Sequence, residues 1–157
     1  MKILFICTHN RCRSILGEAI TRKLCGDNIQ VKSAGSAPAS NVHPETLKNL
    51  ERHNYDTQGL VSNSWDDLGG FIPDISITVC DNAAKEVCPL WLGESIKIHW
   101  GLPDPTHNDI SENKKQDAFD HVIATLEKRI KKICQIDFEN SSETEIKNIF
   151  NQIGDTV

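Results

Sequence analysis

No stretch of this 157-residue chain is apolar for longer than five residues, Ile3-Leu4-Phe5-Ile6-Cys7. A membrane-spanning helix needs roughly 20 such residues and the apolar core of a signal peptide roughly 7–15, so neither is expected and the cytoplasm is the expected compartment. An excess of basic charge is missing too: 17 Lys and Arg stand against 22 Asp and Glu, a formal net charge of −5. Nucleic-acid binders ordinarily carry a basic domain or face, so that class is set aside. Zinc-site spacings are lacking, since there is no Cys-x2-Cys pair and no two of the six histidines lie four to six positions apart. Internal repeats and low-complexity segments are absent, and a charged fraction of 25% is ordinary for a folded domain.

Cysteine, by contrast, is well represented, with six in a chain of a length that predicts one domain. A secreted scaffold of this size would be denser in cysteine; in a reducing compartment such residues are catalytic, metal-binding or buried. Cys25 and Cys134 lie on amphipathic helical patterns and are expected to be buried free thiols. Cys12 is expected to be structural or a site of accidental oxidation.

The hydrophobic pattern alternates between two periods. Lys2–Ile6 reads as a buried parallel strand. Ile15, Ala19, Ile20 and Leu24 share one face of a helix that Gly26 can end. A second strand is expected at Ile29–Lys32, and Pro44 opens a helix bearing Leu47 and Leu50. A short helix is expected around Trp65–Leu68. Third and fourth strands follow at Ile75–Val79 and Ile96–Trp100, then a long helix carries Phe119, Val122, Ile123, Leu126, Ile130 and Ile133. Strands alternating with helices predict an α/β fold with a parallel four-stranded sheet flanked by helices. Residues 1–140 are expected to form a single catalytic domain. Residues 141–157 would be a C-terminal extension whose Ile146, Ile149, Phe150 and Ile153 keep a helical period.

Ligands of parallel α/β sheets bind beyond the carboxyl ends of the strands. Cys7 follows the first strand, Cys80 the third, and Asp104 closely follows the fourth, which points to one shared site. Between strand and helix stands Cys7-Thr8-His9-Asn10-Arg11-Cys12-Arg13-Ser14: a cysteine, five residues, an arginine and a hydroxyl. A loop of this length can turn its N–H groups inward at a helix N-terminus and cradle an anion. Arg13 adds a fork suited to a tetrahedral oxyanion. The same field would lower the pKa of Cys7 and make it a nucleophile facing the bound ion. Ser14 is placed to donate to its sulfur.

This cradle, with Ser33-Ala34-Gly35 and the Asp104-Pro105 turn, resembles the low-molecular-weight protein tyrosine phosphatases, whose strand order is flavodoxin-like. Thr78-Val79-Cys80-Asp81-Asn82-Ala83-Ala84, Cys88-Pro89 and His99-Trp100-Gly101-Leu102 resemble the thiol-dependent arsenate reductases of that superfamily. The resemblance spans roughly residues 1–138. It implies Cys7 as nucleophile, Arg13 as oxyanion clamp, Asp104 as proton donor, Asn10 as a loop-stabilising residue, and Cys80 with Cys88 as a redox pair. Thr8, His9, Asn10, Arg11, Cys12, Arg13 and Ser14 would line the oxyanion site. Two departures stand out: Arg11 occupies a position where a small residue is commoner, and Thr106 stands where the tyrosine phosphatases tend to carry tyrosine.

The expected activity is therefore reduction of arsenate to arsenite through a Cys7–arsenic adduct and a thiol relay. Asp104 would act as general acid, with its pKa raised by nearby negative charge. No tightly bound cofactor and no metal is expected. The reductant would be external, thioredoxin or glutathione with glutaredoxin, and the enzyme would be a monomer with no membrane or nucleic-acid partner. Two alternatives use the same cradle: a phosphotyrosine or phosphomonoester phosphatase, and a non-enzymatic redox or oxyanion sensor.

Overall fold

The computed structural model describes residues 1–86 and 92–156. Four strands, β1 (Lys2–Ile6), β2 (Gln30–Ala34), β3 (Ile75–Thr78) and β4 (Ile96–His99), form one sheet in the order β2-β1-β3-β4. All three pairings are parallel, with Leu4 opposite Lys32 and Ser76, and Ile77 opposite Ile98. The helices are α1 (Arg13–Cys25), α2 (Pro44–Arg52), α3 (Asp81–Lys85), α4 (Glu112–Ile133) and α5 (Glu143–Gly154). The sequence thus specifies the expected fold class and strand order.

The central strand β1 is covered, as its unbroken apolar run requires: Ile3, Leu4 and Phe5 are fully buried. Helix α1 packs on β1, β2 and α4. Its approach to β1 depends on Gly17, where a Cβ would lie 2.8 Å from the Phe5 ring. Helix α5 packs on β4 and α4. The fully buried Trp100 anchors it, donating from Nε1 to the Phe150 carbonyl at 2.9 Å and stacking on the Phe150 ring at 5.9 Å. Ser142 and Glu145 form a capping box at the start of α5. Among the described residues no helix is long and apolar enough to cross a membrane.

Two expectations change here. Trp65–Leu68 is not helical: Ser64 bridges Gly35, the Trp65 N–H donates to the Gly35 carbonyl, and a turn follows. Pairing with the end of β2 claims this backbone before a helix can. Cys25 and Cys134 are not free thiols but a disulfide, with Cα atoms 5.3 Å apart at the carboxyl ends of α1 and α4. Two helical patterns 109 positions apart cannot reveal that their ends meet.

Candidate active site

The loop between β1 and α1 is shaped by donors that hold its carbonyls from outside. The Thr8 carbonyl accepts from Ala37 N, that of His9 from Ala39 N, and that of Arg11 from His43 N and Thr46 Oγ1. Ser62 Oγ donates to the Asn10 carbonyl at 2.7 Å. Peptide groups whose carbonyls face out turn their N–H groups in, and α1 begins where the loop ends, so the cradle gathers positive potential.

Asn10 holds the loop in shape. It is fully buried and adopts φ 45°, a left-handed conformation in which Asn is several-fold enriched. Its Oδ1 accepts from Asn63 N at 2.7 Å and its Nδ2 donates to Ser14 Oγ at 2.8 Å. Ser14 therefore keeps its own hydroxyl hydrogen to donate. Gly35 permits the β2 turn to press on the cradle, because a Cβ there would lie 2.4 Å from the Thr8 carbonyl oxygen and 2.6 Å from that of Cys7.

Arg13 stands at the first position of α1. Its Nη1 donates to the Leu102 carbonyl at 3.0 Å and its Nη2 lies 3.7 Å from Asp104 Oδ2. Its Nε is buried and has no partner among the described residues. Asp104 Oδ1 accepts from Thr106 N at 2.9 Å and Thr106 Oγ1 at 2.7 Å. Burial pushes the Asp104 carboxyl up, but the Thr106 bonds and the Arg13 and Arg11 charges together outweigh it and hold the group below the ordinary carboxylate range. This overturns the expected upward shift: the charges nearest Asp104 are guanidinium groups, not anions. Thr106 was legible only as a missing tyrosine; its part in gripping Asp104 emerges from the turn geometry.

Cys80 caps α3, accepting from Ala83 N at 3.4 Å. Its sulfur also lies 3.8 Å from Oγ1 of Thr8, the residue beside Cys7, and the Cys7 and Cys80 thiols shift each other's titration in opposite directions. Cys7 draws Cys80 down to about 5, helped by the Thr8 and Ala83 N–H groups, against the cost of burial. Cys80 and burial push Cys7 up, opposed by Arg13. This overturns the expected fall at Cys7: in the resting site the lowered thiol is Cys80, and the pair loses its first proton readily and its second with difficulty. Cys12 is buried, and desolvation pushes its thiol up to about 12.

Cys7, Arg13, Asp104 and Cys80 therefore meet at the carboxyl edge of the sheet, with Thr8–Ser14 forming the cradle. Cys88 lies outside the described residues. Sequence reasoning missed the strap Ser62-Asn63, which fixes Asn10, and Glu86, whose Oε1 accepts from Thr8 Oγ1 at 2.9 Å. No local pattern marks either, since both act only through long-range contact.

The model of the low molecular weight phosphotyrosine protein phosphatase family matches residues 2–146. An arsenate reductase of Halalkalibacterium halodurans is 32% identical over 133 residues, covering 85% of this chain and 94% of that protein. A solved arsenate reductase in the phosphate binding state superposes with a TM-score of 0.70 at 25% identity, over 85% of this chain and 95% of that one. A thioredoxin-dependent arsenate reductase of Corynebacterium glutamicum gives 0.62 at 26% identity, over 85% of this chain and 61% of that one. The strand–cradle–helix unit, the aspartate turn and these likenesses agree: the chain belongs to the low molecular weight phosphotyrosine protein phosphatase family.

Proposed function

We propose that the protein is an arsenate reductase with Cys7 as nucleophile and Cys80 as the second thiol of its relay. The observation that carries this reading is a second cysteine at the cradle: β3 delivers Cys80 with its Sγ 3.8 Å from Oγ1 of Thr8, the residue beside Cys7. Phosphoryl hydrolysis needs one thiolate, whereas reducing arsenic(V) needs a second sulfur beside the first. Thr106 in place of an aromatic wall points the same way, and the arsenate reductases among the relatives support it.

Arsenate enters the cradle with its oxygens facing the inward N–H groups and the Arg13 fork, where the buried Nε gains an acceptor. Arg13 then turns from Asp104 to the ligand. Without its counter-charge and beside an anion, Asp104 binds a proton more readily, which suits a general acid. The Cys7 thiolate attacks arsenic, and Asp104 protonates the departing oxygen, which leaves as water. A second thiolate then attacks the Cys7 sulfur. The S–As bond breaks, its electron pair stays on arsenic, and arsenite leaves while a disulfide forms.

When Cys80 is the attacker, a thiolate at Cys88 next displaces Cys7 from Cys80. The Cys80–Cys88 disulfide passes to an external dithiol of the thioredoxin kind. When a small thiol such as glutathione attacks instead, glutaredoxin completes the cycle. The position of Cys80 against Cys7 favours the internal route, and the thioredoxin-dependent relative supports it. The cytoplasm is the compartment consistent with such a reductant.

The test is arsenite formation with the thioredoxin system and with glutathione and glutaredoxin in parallel, beside hydrolysis of an aryl phosphate. The expected result is arsenite production driven by thioredoxin and lost in Cys80→Ser. Efficient aryl phosphate hydrolysis without arsenite would overturn the reading in favour of a phosphatase. Oxyanion binding with no turnover of either substrate would overturn it in favour of a sensor.

A further inference from the structure

Helix α5 takes no part in the steps above, yet it bears on the loop that carries the acid. Trp100 directly follows β4 and leads through Gly101 and Leu102 toward Asp104. Phe150 stacks on its indole at 5.9 Å and accepts from Nε1 through its carbonyl at 2.9 Å. Gly154 lies so close to the ring edge that a Cβ there would stand 2.6 Å from Cδ1. Arg129 of α4 completes the seat: its guanidinium lies 5.7 Å from the ring centre, and its Nη2 donates to the Gly154 carbonyl at 2.7 Å. Trp100 is fully buried, so in a densely packed interior it moves only with these neighbours.

From Trp100 the chain reaches both charged groups of the site. The Leu102 carbonyl accepts from Arg13 Nη1 at 3.0 Å. That bond holds one tip of the guanidinium and leaves the Nε–Nη2 edge for a ligand. Nε is buried with no partner among the described residues, and Nη2 lies 3.7 Å from Asp104. Asp104 stands between Pro103 and Pro105. Pro103 has a fixed φ and Pro105 disfavours helical backbone at Asp104, so Leu102 to Asp104 moves as a stiff piece. Backbone bonds from Trp100 N to the Thr78 carbonyl and from Leu102 N to the Val79 carbonyl tie this loop to the end of β3. The indole seat is its second hold.

We propose that Phe150 and Gly154 are positioning residues of the reaction, which through Trp100 set where the Leu102 carbonyl and Asp104 stand. The proposal rests on the roles assigned above to Arg13 and Asp104. Displacing the indole shifts Leu102, which turns the Arg13 edge away from the oxyanion and moves the acid off its line to the departing oxygen. A misplacement of about 1 Å suffices to slow such a step, because a proton donor works only within hydrogen-bond reach. The C-terminal extension thus belongs to the working site although its residues act through Trp100.

The experiment uses the full chain. Phe150→Leu removes the stacked ring and keeps an apolar side chain; Gly154→Ala sets a Cβ against the indole while favouring the helix. Ile146→Ala is the comparison, a truncation of similar size in the same helix. Ile146 lines a cavity with Met1 and Ile96, at the opposite end of β4 from Trp100. Each variant is assayed for arsenite formation and phosphate affinity well below its melting temperature. Phe150→Leu and Gly154→Ala should each lower kcat about three- to tenfold and weaken phosphate binding about two- to threefold. Ile146→Ala should keep both within about twofold of the native chain, although it too lowers the melting temperature. In an Asp104→Asn background Phe150→Leu should lower kcat less than about twofold, because the acid whose placement it disturbs is gone.

Additive effects of Phe150→Leu and Asp104→Asn on kcat, or equal losses in Phe150→Leu and Ile146→Ala, overturn the proposal. Should Phe150→Leu fail to fold, Gly154→Ala carries the same comparisons. A native chain that binds phosphate but forms no arsenite is a different result. It removes the arsenate reading, and the phosphate affinities of the Phe150 and Ile146 variants then decide the proposal. Failure of the native chain to bind phosphate removes the cradle assignment and this proposal with it.

Discussion

Replacing Cys25 and Cys134 together by serine should lower the melting temperature by about 10–15 °C and leave oxyanion affinity unchanged. The two Cα atoms are 5.3 Å apart, inside the range a disulfide accepts, and the bond closes a loop spanning 109 positions. The chain-entropy relation assigns such a loop about 4.8 kcal/mol at 25 °C, because the unfolded chain loses the freedom to separate its ends. Unfolding entropy near 60 °C is about 2.1 cal/mol/K per residue, or roughly 0.33 kcal/mol/K for 157 residues. The quotient is about 15 °C, an upper figure that residual structure in the unfolded chain reduces. The cradle lies at the other end of α1, 13 residues or about 20 Å away, so phosphate affinity should not follow stability. Calorimetry of oxidised protein, reduced protein and the double variant, each titrated with phosphate, makes the comparison. Equal melting temperatures for oxidised protein and double variant, with the bond verified by mass, would refute the entropic reasoning. Two alkylatable thiols at Cys25 and Cys134 in unreduced protein would refute the pairing itself.

Other outcomes follow from the site. Cys7→Ser should abolish arsenate reduction in a folded protein, since this loop cannot ionise a serine hydroxyl at neutral pH; measurable turnover would remove Cys7 as nucleophile. Asp104→Asn should lower kcat by about 10²–10³ while phosphate affinity moves less than about threefold, and the opposite pattern would make Asp104 a loop residue. Gly35→Ala sets a Cβ 2.4 Å from the Thr8 carbonyl, so it should cost about 1–3 kcal/mol in denaturant titrations and weaken phosphate binding together with stability. Thiolate absorbance at 240 nm should show a step near pH 5 as the Cys7–Cys80 pair loses its first proton. Because the pKa is lowered, the thiolate is present above that pH and lost as pH falls through it. In Cys80→Ser, Cys7 loses the largest cause of its upward shift and should itself titrate lower than in the native chain.

What could be read along the chain is what local rules determine. The apolar run of β1 announced a buried parallel strand, because a strand covered on both faces does not alternate polar with apolar residues, and the β-branched Ile75, Ile77 and Thr78 announced β3. The three- and four-residue spacings of α1 and α4 announced helices, and the Cys7–Ser14 spacing announced an anion cradle, since loop length and helix start are local properties. Charges and bonds between distant segments could not be read in this way. The ordinary reading of Cys7 as the acidic thiol holds only until Cys80 arrives from β3, which pushes Cys7 up and is itself drawn down. Asp104 was expected to meet negative charge and instead meets Arg13, Arg11 and Thr106. The Cys25–Cys134 bond and the Glu86–Thr8 contact span 109 and 78 positions. Sequence determined which groups this protein has and which elements carry them. The tertiary structure alone decided which neighbours share a hydrogen bond, a charge or a sulfur bond, because those interactions depend on separations of a few ångströms between segments far apart along the chain.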